Sequence, residues 1–164
     1  MWAIKLWYHI IAAIQYLFYM VLYGRYLQVG KHVTWRRGFS IMMEKNAEIK
    51  IGDNCFFNND CSIAANHLVR IGDGCLFGEN VKIYDHNHRF ADSKPIKEQG
   101  FSNGEVHIGK HCWIGSNVVI LKGANIADNC VIGAGCVVSG EIPSGMIIAL
   151  DNKNVTFTPI RNRP

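Results

Sequence analysis

The chain has 164 residues, of which 49% are hydrophobic, enough for one domain with its own core. The formal net charge of +4 is modest, and basic and aromatic residues do not alternate beyond Trp35-Arg36-Arg37, which argues against nucleic-acid binding. The six cysteines form no Cys-x-x-Cys pair and have no Cys/His zinc spacing, so we expect reduced thiols in a cytoplasmic protein.

The first predicted element is an apolar helix within residues 1–26. Residues 6–23 read LWYHIIAAIQYLFYMVLY, long enough to cross a membrane, but His9 and Gln15 interrupt the run and no Ala-x-Ala-like cleavage site follows. We expect this helix to cover the end of the next structure, to join a subunit interface or to bind the inner face of a membrane, with a single-pass span as a further alternative. The membrane-surface alternative is favoured by its aromatic residues and by four basic residues after it: Arg25, Lys31, Arg36 and Arg37.

Residues 27–140 contain a six-residue repeat. A second apolar residue, usually smaller, lies two positions before each main apolar residue, and all six cysteines occupy this second position. Alternate residues of a strand share a face, so each repeat predicts a short strand with two buried side chains. The main positions form five groups of three: Val29, Trp35, Ile41; Ile51, Phe57, Ile63; Ile71, Phe77, Ile83; Ile108, Ile114, Ile120; Ile126, Ile132, Val138.

The spacing of these groups predicts a triangular coil. Main positions are six residues apart within a group, and successive groups are separated by ten, eight, twenty-five and six residues. The sequence therefore predicts an all-β fold, a parallel β-helix of about five triangular coils, with all three insertions at one corner. Residue types that tolerate a positive φ, as a tight corner requires, follow most main positions by three: Asn54, Asp60, Asn66, Gly74, Asn80, His111, Asn117, Gly123, Asn129 and Gly135.

The longest insertion, residues 84–105, reads YDHNHRFADSKPIKEQGFSNGE and begins directly after a predicted strand. Asp85, His86, Asn87 and His88 should therefore stand at a corner held by rigid coils. Two histidines beside an aspartate favour general-base catalysis, because imidazole exchanges a proton near neutral pH and a carboxylate can orient it. The other histidines are expected to be structural or solvated: His9, His32, His67, His107 and His111.

The repeat resembles that of the hexapeptide-repeat acyltransferases, a family with a left-handed parallel β-helix. The matching segments are IGDGCLFGENVKI, HIGKHCWIGSNVVI and NIADNCVIGAGCVVSGEIP, and the resemblance extends over roughly residues 27–145. DHNHRF, PIKEQG and HCWIG are similar to O-acetyltransferases found with sugar and surface-polysaccharide biosynthesis. The resemblance implies transfer of an acetyl group from acetyl-CoA to a hydroxyl of a sugar or polysaccharide precursor, by a homotrimer with sites at its subunit boundaries.

The resemblance also implies roles for individual residues. In this family a loop histidine takes a proton from the acceptor hydroxyl, and the match gives this role to His86, with His88 as the rival and Asp85 beside them. The transfer is expected to be direct, without a covalent enzyme intermediate. The implied cofactor contacts are Trp113, Ser116, Ala134, Ser139 and Lys153, and the implied acceptor contacts are Asn87, Gln99 and Phe101.

The end of the chain departs from the family pattern. Residues 141–164 are expected to form a short cap or tail, and here Leu150 and Asn152 replace the Gly and Pro of an Ala-Gly-x-Pro-Ala-Lys-like turn. The basic residue that binds the cofactor phosphates could then be Lys153, Arg161 or Arg163, and the sequence does not decide among them.

Two alternative functions share this fold. A carbonic anhydrase of the γ type needs three histidines on its zinc, and His107 and His111 have no third partner in step, so no metal is expected. A non-catalytic scaffold would not need the DHNH segment or the long loop.

Overall fold

The structure, a computed structural model, describes residues 2–151 and 154–159, with side chains from residue 6 to residue 150. Three sheets of stacked parallel strands form the sides of a triangular prism. Sheet one contains β1 (Leu27–Val29), β4 (Glu48–Ile51), β7 (Leu68–Ile71), β12 (Glu105–Ile108), β15 (Asn125–Ile126) and β18 (Glu141–Ile142). Sheet two contains β2 (Thr34–Trp35), β5 (Phe56–Phe57), β8 (Leu76–Phe77), β13 (Trp113–Ile114), β16 (Val131–Ile132) and β19 (Met146–Asp151), with β20 (Asn154–Pro159) antiparallel to β19.

Sheet three contains β3 (Ser40–Met43), β6 (Ser62–Ala65), β9 (Lys82–Tyr84), β14 (Val119–Ile120) and β17 (Val137–Val138). Outside the prism are the helix α1 (Trp2–Tyr23), the hairpin of β10 (His86–His88) and β11 (Phe101–Asn103), and two 3₁₀ turns, Gly24–Tyr26 and Ile96–Glu98. All three insertions leave the corner between sheet three and sheet one, as predicted.

The strand register confirms the predicted groups of three. In sheet one Ile71 pairs with Ile51 on one side and Ile108 on the other. Each group therefore forms one coil, and the same pairing holds in the other two sheets, for Phe57–Phe77–Ile114 and Ile63–Ile83–Ile120.

The core of the prism changes character along its axis. In the first three coils the rings of Trp35, Phe39, Phe57 and Phe77 form a column, with successive centroids 4.8, 4.9 and 4.3 Å apart. Later coils fill the same space with isoleucines. All six cysteines are buried and unbridged, as their position in the repeat predicts.

Nine of the ten predicted corner residues have a positive φ, and Asn66 is the exception. The prediction was wrong there because a two-residue insertion widens this corner. The backbone N–H of Asn66 donates to Asp85 Oδ1 at 2.8 Å instead.

The structure adds two strands of a sixth coil to the five predicted. Ile142 pairs with Ile126 in sheet one, and Ile148 pairs with Ile132 in sheet two. The repeat was missed here because only four residues separate Val138 from Ile142. The antiparallel strand β20 then covers the edge of β19.

The helix α1 lies across the opposite end of the prism, against the first coil. Ala12 and Tyr19 are buried there, and Gln15 Oε1 accepts a 2.8 Å hydrogen bond from Trp35 Nε1. The segment Leu6–Tyr26 is long and apolar enough to cross a membrane, with a mean hydropathy of 1.4, although only 6% of it is buried in the protein.

Candidate active site

The hairpin of β10 and β11 stands at the corner between sheet three and sheet one. At its base the N–H of Gly104 donates to the carbonyl of Asp85 at 2.8 Å. A Cβ at Gly104 would lie 2.5 Å from Lys122 Cγ, so only glycine allows this close approach. The cross-strand pairs are His86–Asn103, Asn87–Ser102 and His88–Phe101.

Asp85 anchors the hairpin to the neighbouring coil. Its side chain is fully buried, and its carboxylate accepts hydrogen bonds of 2.8, 2.7 and 2.8 Å from the backbone N–H groups of residues 66–68. The fourth partner is His86 Nδ1, 2.9 Å from Oδ1. A carboxylate has about four acceptor positions, and here all four have a partner.

The contact with Asp85 determines the tautomer of His86. An ionised carboxylate can only accept hydrogen bonds, so Nδ1–H of His86 donates to Asp85 Oδ1, and Nε2 of the neutral ring is left as a proton acceptor. The side chain is 17% exposed, so the ring is held while one edge remains accessible. Its edge meets the ring of Phe101, with centroids 5.1 Å apart.

His88 lies in a different environment. It is exposed, its ring packs against Phe101 with centroids 4.6 Å apart, and no carboxylate among the side chains that the structure describes forms a hydrogen bond with it. His88 therefore matches the requirements for a preorganised general base less well than His86 does.

A cavity of about 440 Å³ lies beside the base of the hairpin. Lys122 belongs to the same corner one coil later, and its Nζ donates a 2.7 Å hydrogen bond to Ser102 Oγ. Sequence reasoning missed Lys122, although the pairing of Ile83 with Ile120 places it next to Asp85. The side chains around the cavity include Asn87, His88, Arg89, Gln99, Ser102 and Lys122.

Gln99, a predicted acceptor contact, braces the loop through its amide. Its Oε1 accepts from the N–H of Asp92 at 3.0 Å, and its Nε2 donates to the carbonyls of Asp92 and Lys94 at 3.1 and 2.6 Å. Gln99 thus lines the cavity while it holds the shape of the loop.

Three of the predicted cofactor residues, Trp113, Ser116 and Ala134, lie away from the hairpin of their own chain. Trp113 is 55% exposed on the outer face of sheet two. Ser116 lies at the corner between sheets two and three, where its Oγ accepts from the N–H of Glu79 at 3.1 Å, and Ala134 follows at that corner one coil later. Ser139 alone shares the corner of the hairpin, while Lys153 lies outside the described residues, as do Arg161 and Arg163.

Two of the remaining histidines meet at Glu105, and His67 Nε2 lies 3.4 Å from Glu105 Oε1. His107 Nε2 lies 2.7 Å from Glu105 Oε2, a contact that lowers the pKa of Glu105, and His111 has a positive φ at a different corner. Within the described part of the chain, no group of three or more His, Cys, Asp or Glu residues is placed to hold a metal ion.

Comparison with known proteins gives matches to bacterial hexapeptide transferases. Residues 105–140 match the family model "Bacterial transferase hexapeptide (six repeats)", and residues 68–83 match "Hexapeptide repeat of succinyl-transferase". A galactoside acetyltransferase solved with coenzyme A has 31% identity and a TM-score of 0.69, over 82% of this chain and 65% of that one.

Two curated relatives come from Escherichia coli K12. The galactoside O-acetyltransferase is 37% identical over 108 residues, which are 63% of this chain and 50% of the relative. This chain therefore spans about half the length of that relative. The putative lipopolysaccharide biosynthesis O-acetyl transferase WbbJ is 32% identical over 131 residues, which are 75% of this chain and 67% of the relative. Together with the paired six-residue repeats, this similarity shows that the chain belongs to the hexapeptide-repeat acetyltransferase family.

Proposed function

We propose that the protein transfers an acetyl group from acetyl-CoA to a hydroxyl of a sugar or of a polysaccharide precursor. The observation that carries this proposal is His86, whose ring is oriented by the buried Asp85 at the base of the hairpin. The names of the similar proteins support it, since they describe O-acetyltransferases of a galactoside and of lipopolysaccharide biosynthesis.

The proposed chemistry uses His86 as a general base. Its Nε2 takes the proton of the acceptor hydroxyl while that oxygen attacks the thioester carbonyl of acetyl-CoA. Collapse of the tetrahedral intermediate breaks the carbon–sulfur bond, and the proton on His86 passes to the departing thiolate. The products are an acetyl ester and free CoA, without an acyl-enzyme.

The cysteines of the chain do not suit a covalent mechanism. Burial raises the pKa of the Cys61, Cys130 and Cys136 thiols, and hydrogen bonding with Cys112 and Cys55 raises that of Cys75. A neutral, inward-facing thiol is a poor nucleophile.

The acceptor is proposed to occupy the cavity at the hairpin. Asn87 and Lys122 line this cavity, and the Lys122 cation can donate hydrogen bonds to acceptor oxygens. His86 and Phe101 are neighbours of these residues in the hairpin and are not among the described residues that line the cavity. The cavity lies on the side of the prism that carries the hairpin, which fits an acceptor bound next to the base.

The cofactor is proposed to bind between two copies of the chain in a homotrimer. The hairpin occupies one corner of the prism, whereas Trp113, Ser116 and Ala134 lie on sheet two and at its corner with sheet three. If sheet two of a second chain lay beside the hairpin, the hairpin residues of one chain and the cofactor residues of the other would form one site. This arrangement gives three equivalent sites per trimer, formed in the cytoplasm.

An acetyl-CoA thiol-release assay over a panel of sugars and nucleotide sugars tests the proposal. We expect acceptor-dependent release of CoA that falls by about 100- to 10,000-fold in His86→Ala, the usual contribution of a general base. The comparison variant is His88→Ala, at a residue that lines the acceptor cavity, and it should lose much less activity than His86→Ala. Equal losses in the two variants, or no loss in His86→Ala, would overturn the assignment of the base.

A further inference from the structure

The helix α1 has its polar and apolar faces reversed relative to a surface helix of a soluble domain. Such a helix normally buries its apolar face and exposes its polar one. Here eight large apolar side chains are exposed, and His9 is the only exposed polar residue between positions 6 and 23. The eight are Leu6, Trp7, Ile10, Ile14, Leu17, Phe18, Val21 and Leu22.

Three other polar side chains of α1, those of Gln15, Tyr19 and Tyr23, form hydrogen bonds with the prism. Besides the bond between Gln15 and Trp35, Tyr23 OH donates to the carbonyl of Ile41 at 3.0 Å. Tyr19 OH donates to the carbonyl of Phe39 at 3.4 Å. A contiguous apolar surface of this size marks a site of contact with another apolar phase or protein.

These contacts also decide how α1 can lie. They are spread over more than two turns of the helix, and α1 covers Trp35, Phe39 and Ile41, each less than 5% exposed. If α1 turned away to cross a bilayer, these hydrogen bonds would break and the end of the core would meet water. The helix is therefore built to stay flat on the first coil.

The charge of the chain indicates which surface α1 meets. Residues 1–43 contain five Lys and Arg residues and no Asp or Glu, whereas residues 44–164 contain 12 basic and 13 acidic residues. The net positive charge thus belongs to the end of the prism that α1 covers. Lys31, Arg36 and Arg37 are exposed at two corners of the first coil, and Arg25 is exposed just after α1.

From these observations we propose that α1 and the first coil bind an anionic membrane surface, with the helix lying flat in the interface. The apolar side chains enter the lipid, Trp7 and Phe18 reach the headgroup region, and the basic residues meet anionic headgroups. The hairpin leaves the third coil, two coil spacings or roughly 10 Å farther from the membrane. The proposal is independent of the transfer reaction.

Sedimentation of the full-length protein with vesicles tests the proposal. We expect binding to vesicles of phosphatidylcholine and phosphatidylglycerol in equal parts, weaker binding to phosphatidylcholine alone, and loss of binding as salt increases. Val21→Asp, at an 88% exposed position of α1, should weaken binding by about tenfold or more. The matched control Val137→Asp, at a 56% exposed position of β17, should bind like the wild type.

Charge variants separate the two contributions. Lys31→Gln should weaken binding to the anionic vesicles by about fivefold, the usual effect of one basic residue near a charged bilayer. Lys97→Gln, in the exposed loop, should change nothing. Circular dichroism and thermal melting show whether each variant keeps its fold.

Three results would overturn the proposal. The first is wild-type protein that stays in solution with anionic vesicles, or Val21→Asp that binds as well as the wild type. The second is membrane-bound protein that resists extraction at alkaline pH, which indicates a spanning helix. The third is an oligomer that Val21→Asp dissociates while vesicle binding is absent, which indicates that a second copy of this chain covers α1.

Discussion

Two corners of the prism carry different parts of the proposed site. The corner between sheets three and one holds polar side chains in a fixed network, in which Asp85 binds three backbone N–H groups and His86. Sheet two and its far corner present the exposed ring of Trp113 and small residues such as Ala134.

The contrast follows from how each corner is built. A corner without an insertion turns within a few residues through a position with a positive φ, because the next coil lies at strand spacing. An insertion frees the chain to present histidines, but it also needs an anchor, which Asp85 supplies. The histidines of the hairpin and the proposed cofactor residues of sheet two therefore lie at different corners. We infer that one chain alone does not complete the site.

Removal of the anchor should have the largest effect. In Asp85→Ala three backbone N–H groups lose a buried acceptor and His86 loses its orientation, so we expect the free energy of unfolding to fall by about 3 kcal/mol. The activity should fall at least about 100-fold. Chemical denaturation and the thiol-release assay measure the two effects. Glu98→Ala, at an exposed carboxylate of the same loop that does not line the cavity, is the control, and an Asp85→Ala protein as stable as the wild type would contradict the anchoring role.

Truncation of Trp113 should affect cofactor binding without affecting the fold. Loss of a large aromatic contact at an interface costs about 2 kcal/mol, so the KM for acetyl-CoA in Trp113→Ala should rise about tenfold or more. Its melting temperature should stay near that of the wild type because the ring is 55% exposed. Val137→Ala on sheet three serves for comparison, and an unchanged KM in Trp113→Ala would remove this residue from the site.

A smaller and more selective effect is expected at Lys122. Its ammonium group lines the cavity, and a hydrogen bond from a charged group contributes about 1.5–3 kcal/mol. Lys122→Ala should therefore lower kcat/KM for the acceptor about tenfold and leave the KM for acetyl-CoA unchanged. Lys110→Ala removes a lysine that pairs with Asp73 at another corner, and it should leave both constants unchanged. Equal effects of the two variants would contradict the role of Lys122.

The smallest effect is expected for the cysteines, whose thiols should be nearly unreactive in the native protein. The pKa values of Cys61, Cys75, Cys130 and Cys136 are raised, and that of Cys55 is lowered through its hydrogen bond with Cys75. A thiol with a raised pKa in the folded state contributes to stability at pH values below the pKa of an ordinary unfolded thiol, about 8.5. This contribution is lost as the pH rises through the raised pKa of the folded state. At pH 8 a thiol reagent should react slowly with the native protein. After denaturation it should react rapidly with all six thiols. Rapid modification of the native protein would contradict their burial.

The coils could be predicted from the sequence because each one repeats the same physical requirement. A side chain that points inward must be apolar, and a corner must accept a positive φ. The residue types of Phe57 and Asn117 therefore predict a buried strand position and a corner, respectively. The prediction failed where spacing changed. Asn66 lies in an insertion, and Ile142 follows Val138 by four residues instead of six.

The hairpin was less predictable because its contacts join residues far apart in sequence. The position of His86 at a corner follows from the repeat, but the buried carboxylate of Asp85 depends on backbone groups of the preceding coil. Lys122 belongs to the next coil, and only the register of β9 with β14 brings it to the cavity.

Mixed assemblies of two chains with different defects test the central claim, that one site combines the hairpin of one chain with sheet two of another. His86→Ala and Trp113→Ala chains, each with a different affinity tag, would be coexpressed, and assemblies with both tags assayed at low acetyl-CoA. We predict activity well above that of either parent, because a Trp113→Ala chain supplies an intact hairpin to the intact sheet two of a His86→Ala chain. Activity no higher than the average of the two parents would contradict a site shared between chains.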